Sequence, residues 1–199
     1  VFTIHGAASI GYSVWFVESL LKLPENLKEV RPTFFFGVPR IWEKFHAGIS
    51  AKLASAPPSK KMIFEWATGV GRRANERKNR GETPGGLLAV QYRIAHKLVF
   101  SKLRQALGLD RARVCVSGAA PIAPHVLEFF AGLDLTVHEV YGQSEDTGPT
   151  SFNLPDNYRF GSVGPAVEGV EVKIAEDGEI LVRGPNVFMG YYKEQAATD

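Results

Sequence analysis

The 199-residue chain predicts an α/β fold, a parallel-type sheet flanked by helices and followed by the start of a small antiparallel β subdomain. Three observations carry that reading. A short β-branched run, Ala112–Val116, ends in the small residues Ser117-Gly-Ala-Ala-Pro121, and a second apolar run ends near Val140 in Tyr-Gly-Gln-Ser-Glu145. Between them Ile122 to Gly132 has helical character, with Pro124 suited to a first turn and Val126, Leu127, Phe129 and Phe130 as its apolar contacts. Strand, loop, helix, strand, loop is a parallel crossover, and both loops then emerge at the carboxyl edge, where open α/β sheets bind ligands. Finally, beyond Gly161 the pattern changes to short paired runs around glycines.

The remaining elements follow from the hydrophobic period. Tyr12–Val17 and Thr33–Val38 are short apolar runs that read as buried strands. Ile41–Ala54 takes helical spacing, and Met62, Ile63, Trp66, Ala67 and Val70 form a stripe on the next helix. Gly81, Pro84, Gly85 and Gly86 mark a loop. A further helix has Leu88, Ala95, Leu98, Val99, Leu103 and Leu107 on its apolar face and stops at Gly108. Val170–Ile174 and Glu179–Val182 flank Asp177-Gly178, an antiparallel hairpin signal. Residues 1–150 are therefore assigned to an α/β core and 151–199 to the beginning of a β-rich subdomain.

Composition narrows the class. With 45% hydrophobic and 22% charged residues the chain can bury a sizeable core and is neither disordered nor fibrous. The one cysteine, Cys115, lies in a strand, which excludes an intrachain disulfide and reads as a buried, inert thiol in a reducing compartment. No stretch is long and apolar enough to span a bilayer, and Val1–Gly11 lacks a signal-peptide pattern, so a cytoplasmic protein is expected. The five histidines have no ligand spacing, and no zinc site is expected.

Net charge is only +2 but unevenly placed: Lys60 to Arg113 holds 13 Lys or Arg against 4 Asp or Glu. Arg72-Arg-Ala-Asn-Glu-Arg-Lys-Asn-Arg80 is its focus, either a solvated helix face or a peripheral contact with an anionic membrane. No aromatics interleave these arginines, which argues against nucleic acid.

Glu139-Val-Tyr-Gly-Gln-Ser-Glu145 is the candidate site. An aromatic face can stack on a purine, Gly142 lets backbone amides approach a phosphate, Ser144 can donate to it, and Glu145 can hold a hard cation. The competing reading is a strand-end turn carrying a solvated Ser-Glu pair. The helper loop Gly118-Ala-Ala120 would leave backbone groups uncovered beside it.

Ser117-Gly-Ala-Ala-Pro-Ile122, Tyr141-Gly-Gln-Ser-Glu145, and Gly178–Asn186 followed by Met189-Gly-Tyr-Tyr192 resemble successive motifs of the adenylate-forming, AMP-binding superfamily. Val30-Arg-Pro-Thr33, Val38-Pro-Arg-Ile-Trp-Glu-Lys44 and Leu98-Val-Phe-Ser-Lys-Leu-Arg104 resemble its long-chain fatty-acid CoA ligase branch. The resemblance implies an internal fragment of an ATP-dependent acyl-CoA synthetase that uses Mg²⁺, ATP, a long-chain fatty acid and CoA. It implies catalytic roles for Ser144 and Glu145, the latter as metal ligand, and nucleotide-binding roles for Gly118, Ala119, Ala120, Glu139, Val140, Tyr141, Gly142, Gln143 and Ser144. The superfamily's phosphate loop ending in lysine, its Thr-Gly-Asp ribose motif and its C-terminal lysine have no counterpart in these 199 residues, so the fragment alone is expected to be inactive. Two alternatives stay open: a ligase that passes its acyl group from AMP to a carrier protein, and a non-catalytic module that binds a membrane or partner.

Overall fold

A computed structural model describes residues 2–155 and 158–198. A π-helical turn, Phe2–Gly6, leads into α1 (Ala7–Ile10), and α2 (Leu23–Val30) precedes the first strand, β1 (Phe34–Gly37). Three helical segments follow: α3 (Pro39–Ala54), α4 (Pro58–Asn79) and α5 (Gly86–Ala95). A π-helical turn, His96–Phe100, joins α5 to α6 (Ser101–Leu107). Then come β2 (Val114–Ser117), α7 (Pro124–Ala131), β3 (Val137–Gln143) and β4 (Gly148–Phe152). The hairpin β5 (Glu171–Ile174) and β6 (Ile180–Arg183) and the short α8 (Gln195–Thr198) complete the described chain.

The main sheet has the order β1-β2-β3-β4. β1, β2 and β3 run parallel, and β4 returns antiparallel to β3, so the sheet is mixed. Its parallel part follows from the crossovers: each strand leads into helix, and the long helical stretch α3–α6 or the shorter α7 brings the chain back to the amino edge. Helix starts agree with local chemistry, since α3, α4 and α7 each carry proline in the first turn.

One sheet face is covered by α3 and α7. Phe35, Cys115 and Val137 meet Trp42 of α3 and Leu127 and Phe130 of α7 there. Trp42 is wholly buried, and its indole N–H donates to the carbonyls of Gly37 and Val116 at 3.1 and 3.2 Å. One side chain thus ties the carboxyl ends of β1 and β2 together. Ala67 and Val70 of α4 form a second cluster with Ala95, Phe100 and Leu133. Gly108 ends α6 at φ 72°, and a Cβ there would lie 2.3 Å from the Leu27 carbonyl carbon, so only glycine lets α2 pack this closely.

Two expectations need correction. Tyr12–Val17 is not a buried strand: it forms no regular element, and Trp15 and Phe16 are 70% and 80% exposed. A strand requires a neighbour to accept its backbone bonds, and no described strand pairs with this run. β1 does form within Thr33–Val38, yet Phe34 and Phe36 alternate outward at 48% and 39% exposure, so only one of its faces is buried. The stripe expected on α4 is likewise split, with Ala67 and Val70 buried and Met62, Ile63 and Trp66 exposed. The Asp177-Gly178 hairpin is present, with Glu171 paired to Arg183 at its open end.

Candidate functional site

β1, β2 and β3 all end at one edge of the sheet, in register Gly37 to Ser117 and Ser117 to Glu139. The loop after β2 and the turn after β3 therefore lie side by side. Gly118 is the point of contact: a Cβ added there would fall 2.5 Å from Cγ1 and 3.1 Å from the carbonyl oxygen of Val140. Ala119 follows at φ 68°, a left-handed conformation uncommon for a residue with a side chain. Both Ala119 and Ala120 are exposed, leaving backbone groups open at the rim. Strain of this kind costs about 1 kcal/mol or more and persists only where surroundings impose it.

The second turn is built by its own polar residues. A register irregularity between Tyr141 and Gly142 bends the end of β3 before the short 3₁₀ turn Ser144–Asp146. Gln143 caps that turn reciprocally with Asp146: the Asp146 carboxylate accepts the Gln143 N–H at 3.0 Å, while the Gln143 side chain accepts from the Asp146 backbone. Asp146 is buried, and its other oxygen accepts the Thr150 hydroxyl proton from β4. The turn is thereby held from both strands, and the next two side chains back, Ser144 and Glu145, are left facing outward.

A distant segment then docks on it. The Asn186 amide donates to the Asp146 carbonyl at 3.1 Å, and the Thr147 hydroxyl donates to the Asn186 carbonyl at 2.7 Å. The Phe188 N–H donates to the Glu145 carbonyl at 2.8 Å. Finally, the Tyr191 hydroxyl donates to Glu145 Oε1. That bond holds the Glu145 carboxyl below the usual carboxylate range and raises the Tyr191 phenol above its own. Glu145 is consequently ionised at neutral pH and fixed in orientation.

The expected site residues thus come together, with two distinctions. Gly118, Ala119, Ala120, Val140, Gly142, Gln143, Ser144 and Glu145 share the carboxyl edge. Tyr141 is half-buried and lines an apolar cleft of about 210 Å³ with Thr150, Ser151, Gly164, Val172 and Ile180. Glu139 lies below the rim: it is buried, its Oε2 accepts the Gly161 N–H at 3.3 Å, and burial pushes its carboxyl up. Its position suits tying β3 to the following segment rather than meeting a ligand. Asp146, Thr150, Asn186 and Tyr191 were not singled out by sequence reasoning as parts of the site. Only the capping pattern around Ser144–Asp146 offered a local signal for one of them.

The arrangement fits a nucleotide and its cation. Among the described residues no group of three or more His, Cys, Asp or Glu could enclose a metal. A single outward carboxylate instead matches magnesium, which keeps several waters and binds through one or two carboxylates plus phosphate oxygens. The rim left open by Gly118 would be filled by any larger side chain, as Val140 already occupies the space beside it.

Comparison with known proteins gives the same direction. The AMP-binding enzyme family matches residues 1–192. A long-chain-fatty-acid–CoA ligase of Xenopus laevis, ACSBG2, is 45% identical over 178 residues, covering 87% of this chain and 24% of that protein. A putative fatty-acid–CoA ligase of Mycobacterium tuberculosis, fadD11, is 42% identical over 190 residues, covering 94% of this chain and 33% of that protein. This chain spans about a quarter to a third of the length of these relatives. Among solved structures, the anthranilate CoA ligase AuaEII in complex with anthranoyl-AMP superposes with a TM-score of 0.54 at 16% identity, over 94% of this chain and 29% of that one. The A-PCP didomain of carboxylic acid reductase from Segniliparus rugosus, in complex with AMP, gives 0.53 at 21% identity, over 97% and 24%. At such identities these two establish the fold alone.

Proposed function

This chain belongs to the AMP-binding enzyme family, and from that we propose that it is the central part of an ATP-dependent long-chain fatty acid:CoA ligase. In the first half-reaction the fatty-acid carboxylate attacks the α-phosphorus of ATP, giving an acyl-adenylate and pyrophosphate. In the second, the CoA thiol attacks that mixed anhydride and AMP leaves. Both reactants of the first step are anionic, so the site's work is positioning and charge neutralisation.

Each residue has a role in this reading. Gly118, Ala119 and Ala120 line the adenine and acyl pocket, Tyr141 packs on adenine, and Ser144 donates to the α-phosphate. Glu145 would hold Mg²⁺, which when bound offsets the repulsion between carboxylate and triphosphate. The single observation that carries the proposal is the convergence of the two turns on one edge, with an ionised Glu145 aimed by Tyr191. Residues 151–199 open a β-rich subdomain whose Asn186–Tyr191 segment braces that turn. A cytoplasmic protein with peripheral membrane contact through the basic segment around Arg72–Arg80 completes the proposal.

The test uses the longer protein encoded around these residues. With palmitate, ATP and Mg²⁺ it should release pyrophosphate and, on adding CoA, form a thioester, while Glu145→Ala should lose on the order of a hundredfold or more of the first step. Acyl-AMP that accumulates unchanged by CoA would mark a carrier-dependent ligase instead, and no pyrophosphate release would overturn the enzyme reading. The isolated 199 residues should give no acyl-adenylate above the Glu145→Ala background.

A further inference from the structure

We propose that the α4–α5 hairpin is a docking surface for an anionic lipid bilayer. It gives the peripheral contact named above a defined face, and it rests on no catalytic step.

The apolar half lies on α5 and the turn after it. Leu87, Val90, Ile94 and Leu98 are 73%, 52%, 46% and 45% exposed. Their spacing of three, four and four residues sets them along one helical face. The opposite face, with Ala95 and Phe100, is the one buried against α4. Such a row belongs in a core, yet here it meets water.

The cationic half borders it. Arg93 and Lys97, three residues beyond Val90 and Ile94, are exposed on the flank of the row. On α4, Met62, Trp66, Arg73, Arg77 and Arg80 recur at helical spacing, and all five are exposed. The Arg73 guanidinium donates to the Gln91 side chain at 3.4 Å, which places this α4 face next to Val90 and Ile94. Glu65 and Glu76 also border the surface, but five cations outnumber them.

Charge decides the occupant. A second copy would cover the apolar row only by bringing arginines against arginines. Anionic headgroups accept the cations while the acyl boundary takes the apolar row, the arrangement of interfacial amphipathic helices. Among the described residues no helix is long and apolar enough to cross a membrane, so the contact is with the surface.

The experiment measures binding of the 199-residue chain to vesicles of phosphatidylcholine alone or mixed with phosphatidylserine, without nucleotide. Binding should be at least about tenfold tighter to the anionic vesicles and should weaken with added salt. Replacing Arg73, Arg77, Arg93 and Lys97 by Gln should weaken it on the order of a hundredfold, since each cation near such a surface contributes roughly fivefold. Val90→Ser with Ile94→Ser and Leu98→Ser should weaken it about tenfold or more at unchanged circular dichroism. In a Trp15→Phe background, brominated lipid should quench Trp66. Equal binding to both vesicle types, indifference to either set of substitutions, or a concentration-dependent dimer abolished by the serine variant would each overturn the proposal. Glu145→Ala should bind vesicles like the parent, so failure of this surface and failure of the ligase reading are separable.

Discussion

The Tyr191 hydroxyl donates to the Glu145 carboxylate across a sequence separation of 46 residues. A residue from the β-rich segment thereby sets the orientation and charge of the turn at the sheet edge. Replacing it tests whether the bond acts on Glu145 itself. Tyr191→Phe should move the Glu145 titration upward, toward the ordinary range, in a ¹³C-carboxyl NMR experiment, because the hydrogen bond is the leading cause of its depression. In the longer protein the same change should raise the Mg²⁺ concentration needed for half-maximal pyrophosphate release. An unmoved Glu145 titration would show that Tyr191 packs beside the carboxylate without controlling it.

Asp146 carries the turn's internal structure, since it is buried and bonded to both the Gln143 N–H and the Thr150 hydroxyl. Asp146→Ala leaves a buried donor on each side without its acceptor and should cost about 2–4 kcal/mol in urea unfolding. Thr150→Val removes one partner and should cost about 1–2 kcal/mol. The two residues touch, so the double variant should fall short of the sum. Full additivity would mean that the pair is not coupled.

Gly118 is where the two candidate loops meet, and a methyl group there would fall 2.5 Å from Val140 Cγ1. Valine can retreat only by moving a strand end, so Gly118→Ala should cost about 1–3 kcal/mol and push the loops apart. Val140→Ala should partly restore Gly118→Ala by vacating the space. Absence of that rescue in a thermal melt would indicate that the carbonyl oxygen of Val140, at 3.1 Å, is the real obstacle.

Much of the parallel core was legible because its signals are local. β2, α7 and β3 each announce themselves by a β-branched run or a proline followed by apolar helical spacing, and a crossover puts their loops on one edge whatever the rest of the chain does. Tyr12–Val17 misled for the same reason: apolar alternation marks a strand only if a neighbour exists to pair with it, which no local pattern reports. β4 was hidden because its return depends on Asp146 and Thr150 closing a tight turn across four residues. The bracing of Glu145 by Tyr191, and of Asp146 by Asn186, spans 46 and 40 residues and has no periodicity to read. Glu139 looked like a rim carboxylate by position, but the strand's register sinks it beneath Gly161.

Trp42 offers a clean separation of packing from hydrogen bonding at the same edge. Its ring fills the core against Phe35 and Phe130, with centroids 5.3 Å from each, and its N–H joins β1 to β2. Trp42→Phe keeps an aromatic of smaller volume and removes the donor, so it should destabilise by about 2–4 kcal/mol. Hydrogen exchange should then quicken at the carboxyl ends of β1 and β2 before the rest of the sheet. Uniform acceleration would show that the ring's packing alone matters.

His138 makes stability depend on pH. It is buried in β3 beside Tyr158, with ring centroids 5.3 Å apart, and burial pushes its pKa down to about 4. Below pH ~6.5 the unfolded chain takes up a proton at this imidazole that the folded chain refuses. Stability is therefore whole above that pH and declines as pH falls toward about 4, where the folded imidazole also protonates and the loss levels off. The loss from this group is on the order of 3 kcal/mol. His46, lowered by burial and then by His125, adds in the same sense. Glu139 works in the opposite one, because its raised pKa lets the folded chain hold a proton that the unfolded chain releases. Urea titrations from pH 7.5 to 4 in a Glu139→Gln background should therefore show the decline clearly, and His138→Leu should flatten most of it. A decline of unchanged depth in His138→Leu would assign the acid sensitivity to other groups.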